Sequence, residues 1–159
     1  MIRTRHGSAV IELANDRDVV IKREFDAPIA LVFDVLTKPE HVRKWFFDRE
    51  VRECSIDLRV GGEFRYTTAR DDGTEFTFYG TFLEIDPPTR FVNSWLFDLW
   101  PEVEAVESVH LEEAGGVTTM TDTLRFSNPA GRQRMIDSGF GGIQEGWDRL
   151  EDFLGSLQQ

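Results

Sequence analysis

Glu107 and Asp122 are the residues of this chain best suited by type and spacing to acid–base chemistry. They flank a glycine turn at Glu113–Gly116. Folding the chain back there pairs Leu111 with Thr118, Val109 with Met120 and Glu107 with Asp122. Carboxylates placed directly opposite each other repel. If buried, the two must share a proton or take a donor from Tyr66 or an arginine. A carboxyl whose proton affinity is raised by burial can act as general acid or base near neutral pH. A register slipped by one residue turns both to water, and the residues alone leave both placements open.

Little else in the chain carries chemistry. His6, His41 and His110 are far apart and lack a ligand-like neighbour at i+4, so no metal spacing is present. No phosphate-cradling glycine loop and no nucleophile elbow occur, and the expectation is a cofactor-free, metal-free protein. Cys54 is the only cysteine, which excludes an intramolecular disulfide and reads as a small buried hydrophobe. Arg59 and Arg65, beside Gly61-Gly62, read as solvated or paired with sheet carboxylates.

The carboxylates need elements to hold them. Asp18 to Asp26 is a strand by its valine and isoleucine content, and Val10 to Leu13 can add a short strand before it, turning at Asn15-Asp16. Pro28 opens a helix with Ile29, Val32, Phe33 and Leu36 on one face, and Pro39 opens a second with Val42, Trp45 and Phe46. From Val51 to Phe126 the chain reads as hairpin-connected strands: Val51–Leu58, Glu63–Ala69, Glu75–Ile85, Phe91–Phe97, Val103–Glu112 and Val117–Ser127. The turns lie at Gly61-Gly62, Asp71–Gly73, Asp86–Thr89, Leu99–Glu102 and Glu113–Gly116. After Asn128-Pro129 a final helix runs to about Leu157, with Ile136, Phe140, Ile143, Trp147, Leu150, Leu154 and Leu157 at helical spacing. The fold class is α+β: an antiparallel sheet of about six or seven strands that must bury its apolar face on one long helix. Residues 1–17 form an extension and 18–159 one domain.

Turn lengths set the faces. The loop at Asp71–Gly73 puts Phe64 opposite Gly80 and Tyr66 opposite Phe78. The Pro87-Pro88 turn puts Phe78 opposite Phe97, Gly80 opposite Trp95 and Phe82 opposite Asn93. One face therefore gathers Phe64, Tyr66, Phe76, Phe78, Phe82, Phe91, Trp95 and Phe97, and Trp95 can cover the bare backbone of Gly80. Val109, Leu111, Met120, Leu124 and Phe126 share that face with the two carboxylates. Trp45, Phe46 and Phe47 form either a pocket lip or a helix-end core cluster. Gly139, Gly141 and Gly142 stand inside the final helical pattern, where each glycine costs about 0.5–1 kcal/mol relative to alanine; either they leave room beside a continuous helix, or a loop there interrupts two shorter helices, or an aromatic fills the space.

Composition limits the partners. A net charge of −11 excludes a nucleic-acid footprint and an anionic membrane surface, both of which need a basic face. No stretch is long enough to insert in a membrane, and MIRTRHGSAVIEL lacks the apolar run of a signal peptide. A cytoplasmic location follows by default. Nothing distinguishes a monomer from a homodimer.

Several segments together carry a resemblance. REFDAPIALVFDVLTKPEHVRKWF, DLRVGGEFRY, the following DG, GTFLEIDPPTRF and EGWDRLEDFL occur in that order. The chain resembles the activator of heat-shock-protein-90 ATPase-like family, within the START-like, helix-grip superfamily, over roughly Val19 to Leu157. The resemblance implies a curved sheet gripping the last helix, with two short helices after the first strand and a hydrophobic cavity between sheet and helix. It marks no residue as catalytic. The expected cavity set is Phe64, Tyr66, Phe78, Phe82, Asn93 and Trp95 from the first hairpins. Glu107, Val109, Met120 and Asp122 add to it from the last hairpin, and Met135, Gly139, Gly142 and Ile143 from a helix whose glycines leave room for a ligand. The leading functional expectation is non-catalytic binding of a small hydrophobic or amphipathic molecule, such as a lipid or polyketide, oriented by Tyr66, Asn93, Glu107 and Asp122. A cyclase- or hydrolase-type enzyme using Glu107 or Asp122 is the second. A chaperone-associated interaction module, with a role in stress response, is the third. In the family's eukaryotic co-chaperone such a domain follows a separate one that engages the chaperone, whereas this chain starts with the family domain.

Overall fold

The computed structural model describes residues 4–159, so Met1 to Arg3 of the expected 1–17 extension lie outside the described residues. Eight strands form one antiparallel sheet: β1 (Val10–Glu12), β2 (Asp18–Phe25), β3 (Glu50–Ile56), β4 (Glu63–Ala69), β5 (Glu75–Asp86), β6 (Arg90–Phe97), β7 (Glu104–Ala114) and β8 (Val117–Phe126). Their order is β1-β2-β8-β7-β6-β5-β4-β3. The expected six or seven strands become eight because Val10–Glu12 pairs with β2 as a full edge strand. Asn15 makes that pairing: its Oδ1 accepts from the backbone N–H groups of Arg17 and Asp18, both at 2.8 Å, and turns the chain.

The connection from β2 to β3 crosses the sheet and holds α1 (Ile29–Thr37) and α2 (Pro39–Trp45). Each starts at a proline-bearing boundary, where a missing N–H costs nothing. The segment after β8 takes the interrupted form of the two expected, not the single helix. It is α3 (Pro129–Asp137), a short 3₁₀ turn (Phe140–Gly142) and α4 (Ile143–Leu157). Asn128 caps α3 by accepting from Gly131 N–H at 2.9 Å. The break follows from Gly139 at φ +73° and Gly142 at φ +80°, left-handed values that an L side chain adopts only with strain. These glycines separate two helices; they do not thin a continuous one.

The core lies between the sheet's inner face and the helices. Val19, Ile21 and Phe25 of β2, Leu111 of β7, Met120 and Phe126 of β8, Val32 of α1 and Leu150 of α4 are essentially inaccessible. Trp147 of α4 is buried, its ring 6.4 Å from Phe25.

The pairing of β4 with β5 follows the expected register, with Phe64 opposite Gly80 and Tyr66 opposite Phe78. The pairing of β7 with β8 does not. Gly115 and Gly116, at φ +59° and +81°, form a two-residue turn that joins Ala114 directly to Val117. Leu111 therefore pairs with Met120, Val109 with Asp122 and Glu107 with Leu124. The displacement is an even number of residues, so each residue keeps its face. Glu107 and Asp122 both point inward, set diagonally and not opposite each other. Gly80 is also covered differently from expectation: a Cβ there would meet the Ser94 carbonyl oxygen at 1.9 Å and the Phe64 ring at 2.8 Å.

Candidate functional site

Between the inner face of β4–β8, the end of α2 and the start of α4 lies a cavity of about 470 Å³. Its walls are mainly aromatic, because one strand face carries a ring at nearly every second position. Phe64 and Tyr66 lie 5.1 Å apart between ring centres, Phe64 and Phe82 5.8 Å, and Phe78 and Trp95 5.8 Å. Phe46, at the end of α2, closes onto this wall at 4.9 Å from Tyr66 and 5.6 Å from Phe78. Of the two placements open for Trp45, Phe46 and Phe47, all three residues line the cavity, and Trp45 is also anchored to the core through Nε1–H to the Val35 carbonyl at 3.0 Å.

The structure brings most of the expected set together. Phe64, Tyr66, Phe78, Phe82, Asn93, Trp95, Glu107, Val109, Met120, Asp122, Gly142 and Ile143 all line this space. Two do not. Met135 is buried in α3, away from the lining, and Gly139 lies in the left-handed break with open space beside it. Sequence reading also missed Gly146, Trp147 and Arg149 of α4 as lining residues. Gly146 carries the signal that could have found it: a glycine in a regular helix, directly before the buried Trp147.

Three of the polar lining side chains form a cluster. β6 and β7 place Asn93 opposite Glu107, and Asn93 Nδ2 donates to Glu107 Oε1 at 3.3 Å and to the Ser94 carbonyl at 3.0 Å. Asp122, on β8, is next to Glu107, and its Oδ1 is buried without a donor. Burial first, and then the charge and hydrogen bonding of Glu107, hold the Asp122 carboxyl well above the usual carboxylate range. Burial also raises the Tyr66 phenol, with smaller contributions from Cys54 and Glu107, so Tyr66 stays protonated. This cluster can donate and accept hydrogen bonds, and Asp122 can hold or release a proton.

Arg149 secures the cavity's mouth. Its guanidinium donates to the Trp45 carbonyl at 2.8 Å and the Phe46 carbonyl at 3.2 Å, satisfying the C-terminal end of α2 and tying it to α4. Behind the cavity, the Arg23 side chain is fully buried. It donates to Asp148 Oδ1 at 2.7 Å and Glu151 Oε1 at 2.8 Å, which fixes α4 against β2. Arg23 was not singled out from sequence, although it shares the inward alternation of Val19, Ile21 and Phe25.

Other candidates lie elsewhere. Cys54 is half-buried on β3, its thiol 3.6 Å from the Pro39 carbonyl and pushed up to about 11 by burial, so it is a weak nucleophile. Arg59 and Arg65 pair with Asp57 at 2.8 Å and Glu53 at 3.3 Å on the surface. Among the described residues, His6, Glu151 and Asp152 form a three-ligand group, but Glu151 already accepts from Arg5 and Arg23.

Comparisons with known proteins agree with this architecture. A family model described as Activator of Hsp90 ATPase homolog 1-like protein matches residues 26–158. A crystal structure of a protein from Rhodobacter sphaeroides superposes with a TM-score of 0.86 at 22% identity, covering 94% of this chain and 99% of that one. A protein from Nitrosomonas europaea does so at 0.80 and 26% identity, covering 92% and 99%. CalU16 from Micromonospora echinospora does so at 0.64 and 23%, covering 92% and 83%. No curated protein matches the sequence. Among the described residues, no helix is long and apolar enough to cross a membrane.

Proposed function

The chain belongs to the Activator of Hsp90 ATPase homolog 1-like family, and on that premise we propose that it binds a small hydrophobic or amphipathic molecule in its internal cavity without transforming it. The observation that carries this reading is the cavity itself: about 470 Å³, walled by aromatic rings, with Asn93, Glu107 and Asp122 forming one polar cluster on its lining. That volume lies in the range of small-molecule sites, which pair apolar walls with a few orienting polar groups. Burying roughly 200 Å² of apolar ligand surface at about 25 cal/mol per Å² supplies roughly 5 kcal/mol of gross driving force. The polar cluster then decides which end of the ligand enters first. A cytoplasmic location belongs to the same proposal.

A second reading rests on Asp122, whose retained proton would let it act as a general acid beside Glu107. Under that reading, turnover of a bound substrate would collapse in Asp122→Asn while its binding persisted.

The binding reading is tested by titrating the purified chain with Nile red, a neutral fluorophore. Saturation at one site per chain, with displacement by apolar molecules extracted from the source cells, is the expected result. Weak, non-saturating fluorescence would contradict it.

A further inference from the structure

The polar end of the cavity is rich in acceptors and short of donors. Glu107 and Asp122 bring four carboxylate oxygens to one apolar space. The donor that meets them is the Asn93 amide, at 3.3 Å from Glu107. Asp122 is 8% exposed, and its Oδ1 has no donor. Among the described residues the Tyr66 hydroxyl makes no hydrogen bond to either carboxylate. The charged groups elsewhere on the lining are Asp48, Arg49, Glu145 and Arg149. Arg149 is occupied by the α2 carbonyls, and Arg49 lies beside Asp48 at 4.0 Å. Among the described residues, no basic side chain is paired with the two carboxylates.

Taking the cavity as the binding site proposed above, we infer that its ligand is a ring-bearing apolar molecule ending in an amine, which enters amine first and lies as an ammonium against Glu107 and Asp122. An ammonium brings donors to both carboxylates and neutralises the charge that the apolar walls cannot solvate. The faces of Tyr66 and Trp95, on the same wall, add attraction for a cation in a desolvated site. A neutral hydroxyl has one donor and leaves the charge uncompensated. A carboxylate-ended ligand meets like charge without a cation to offset it. The chain's net charge of −11 also favours the approach of a cation.

The test is isothermal titration calorimetry of the full chain at pH 7 with three probes that share one body: 2-(2-naphthyl)ethylamine, 2-(2-naphthyl)ethanol and 2-naphthylacetate. The amine should bind at least about tenfold more tightly than the alcohol, and the acid most weakly. Glu107→Gln and Asp122→Asn should each cut the ratio of amine to alcohol affinity from about tenfold or more to about threefold or less. Alcohol or acid binding as tightly as the amine overturns the inference and leaves the cavity reading intact. So does a set in which none of the three binds but Nile red still saturates one site. An amine preference that survives both substitutions overturns it too, since overall charge would then be the cause. Failure of Nile red and all three probes removes the cavity reading, and this inference with it. Should one variant fail to fold, the wild-type ranking and the other variant decide.

Discussion

Asp122 is the residue at which the fold works against itself. Its carboxyl is buried beside a second acid, and its proton affinity in the folded state is raised above the value of an exposed aspartate, 3.8. The consequence for stability has a definite sign. Below about pH 4 the carboxyl is protonated whether the chain is folded or not, and it costs nothing. As pH rises, the unfolded chain releases the proton while the folded one retains it, so this group lowers stability increasingly until its folded pKa is passed. Asp122→Asn keeps the shape and supplies a permanent donor toward Glu107. It should stabilise the protein near pH 7 by about 1 kcal/mol, a rise in melting temperature of roughly 2–4 °C. The gain should vanish toward pH 4, and thermal melts across that range check it. Alternation and turn position leave two placements open for both acids, inward or toward water, and the observed pairing of Val109 with Asp122 and Glu107 with Leu124 selects the inward one. The partners of Arg23 were not legible, because they depend on how α4 is rotated over β2, which one helix's periodicity does not state.

At the scale of elements, two turns show where reading from sequence holds and where it stops. The Asp71–Gly73 loop was legible because a three-residue loop with glycine in the left-handed position is a common hairpin solution, and Gly73 is at φ +88°. At Glu113–Gly116 the same signals fit either a four-residue or a two-residue turn. Consecutive left-handed glycines select the shorter one. The final segment leaves one helix or two open for a related reason: its apolar spacing continues through Ile136, Phe140 and Ile143, while the backbone turns left-handed at Gly139 and Gly142. Periodicity reports which residues face the core, not whether hydrogen bonding continues between them. Replacing Gly139 by alanine should therefore destabilise the chain by about 1–2 kcal/mol through backbone strain alone, since nothing lies within 4 Å of the new methyl group. Urea denaturation measures this, and an unchanged midpoint would show that the break does not need its left-handed residue.

For the whole molecule, an eight-stranded sheet and α4 enclose more space than their side chains fill. The fold was legible because local signals agreed from β2 to α4, and the edge strand β1 completes it through its pairing with β2. Beyond that strand, Ala9 exchanges hydrogen bonds with Gln144 of α4 at 3.1 and 2.7 Å. The cavity's boundary was less legible. Whether a ring fills a core or walls a space depends on what lies across from it, and here that is a glycine. Gly146 lies in regular helix on the lining, and a Cβ there would meet only the Arg149 guanidinium at 3.6 Å. The missing side chain that leaves room belongs to this residue, not to Gly139.

Gly146→Leu tests the claim that this space exists to hold a ligand. Leucine suits a helix interior better than glycine by up to roughly 1 kcal/mol, and its side chain would occupy the cavity. Nile red titrated into both proteins, with thermal melting alongside, reads the outcome. The account predicts a variant at least as stable as the parent whose affinity for the probe falls by about tenfold or more. A folded variant that binds the probe as tightly as the parent would contradict it.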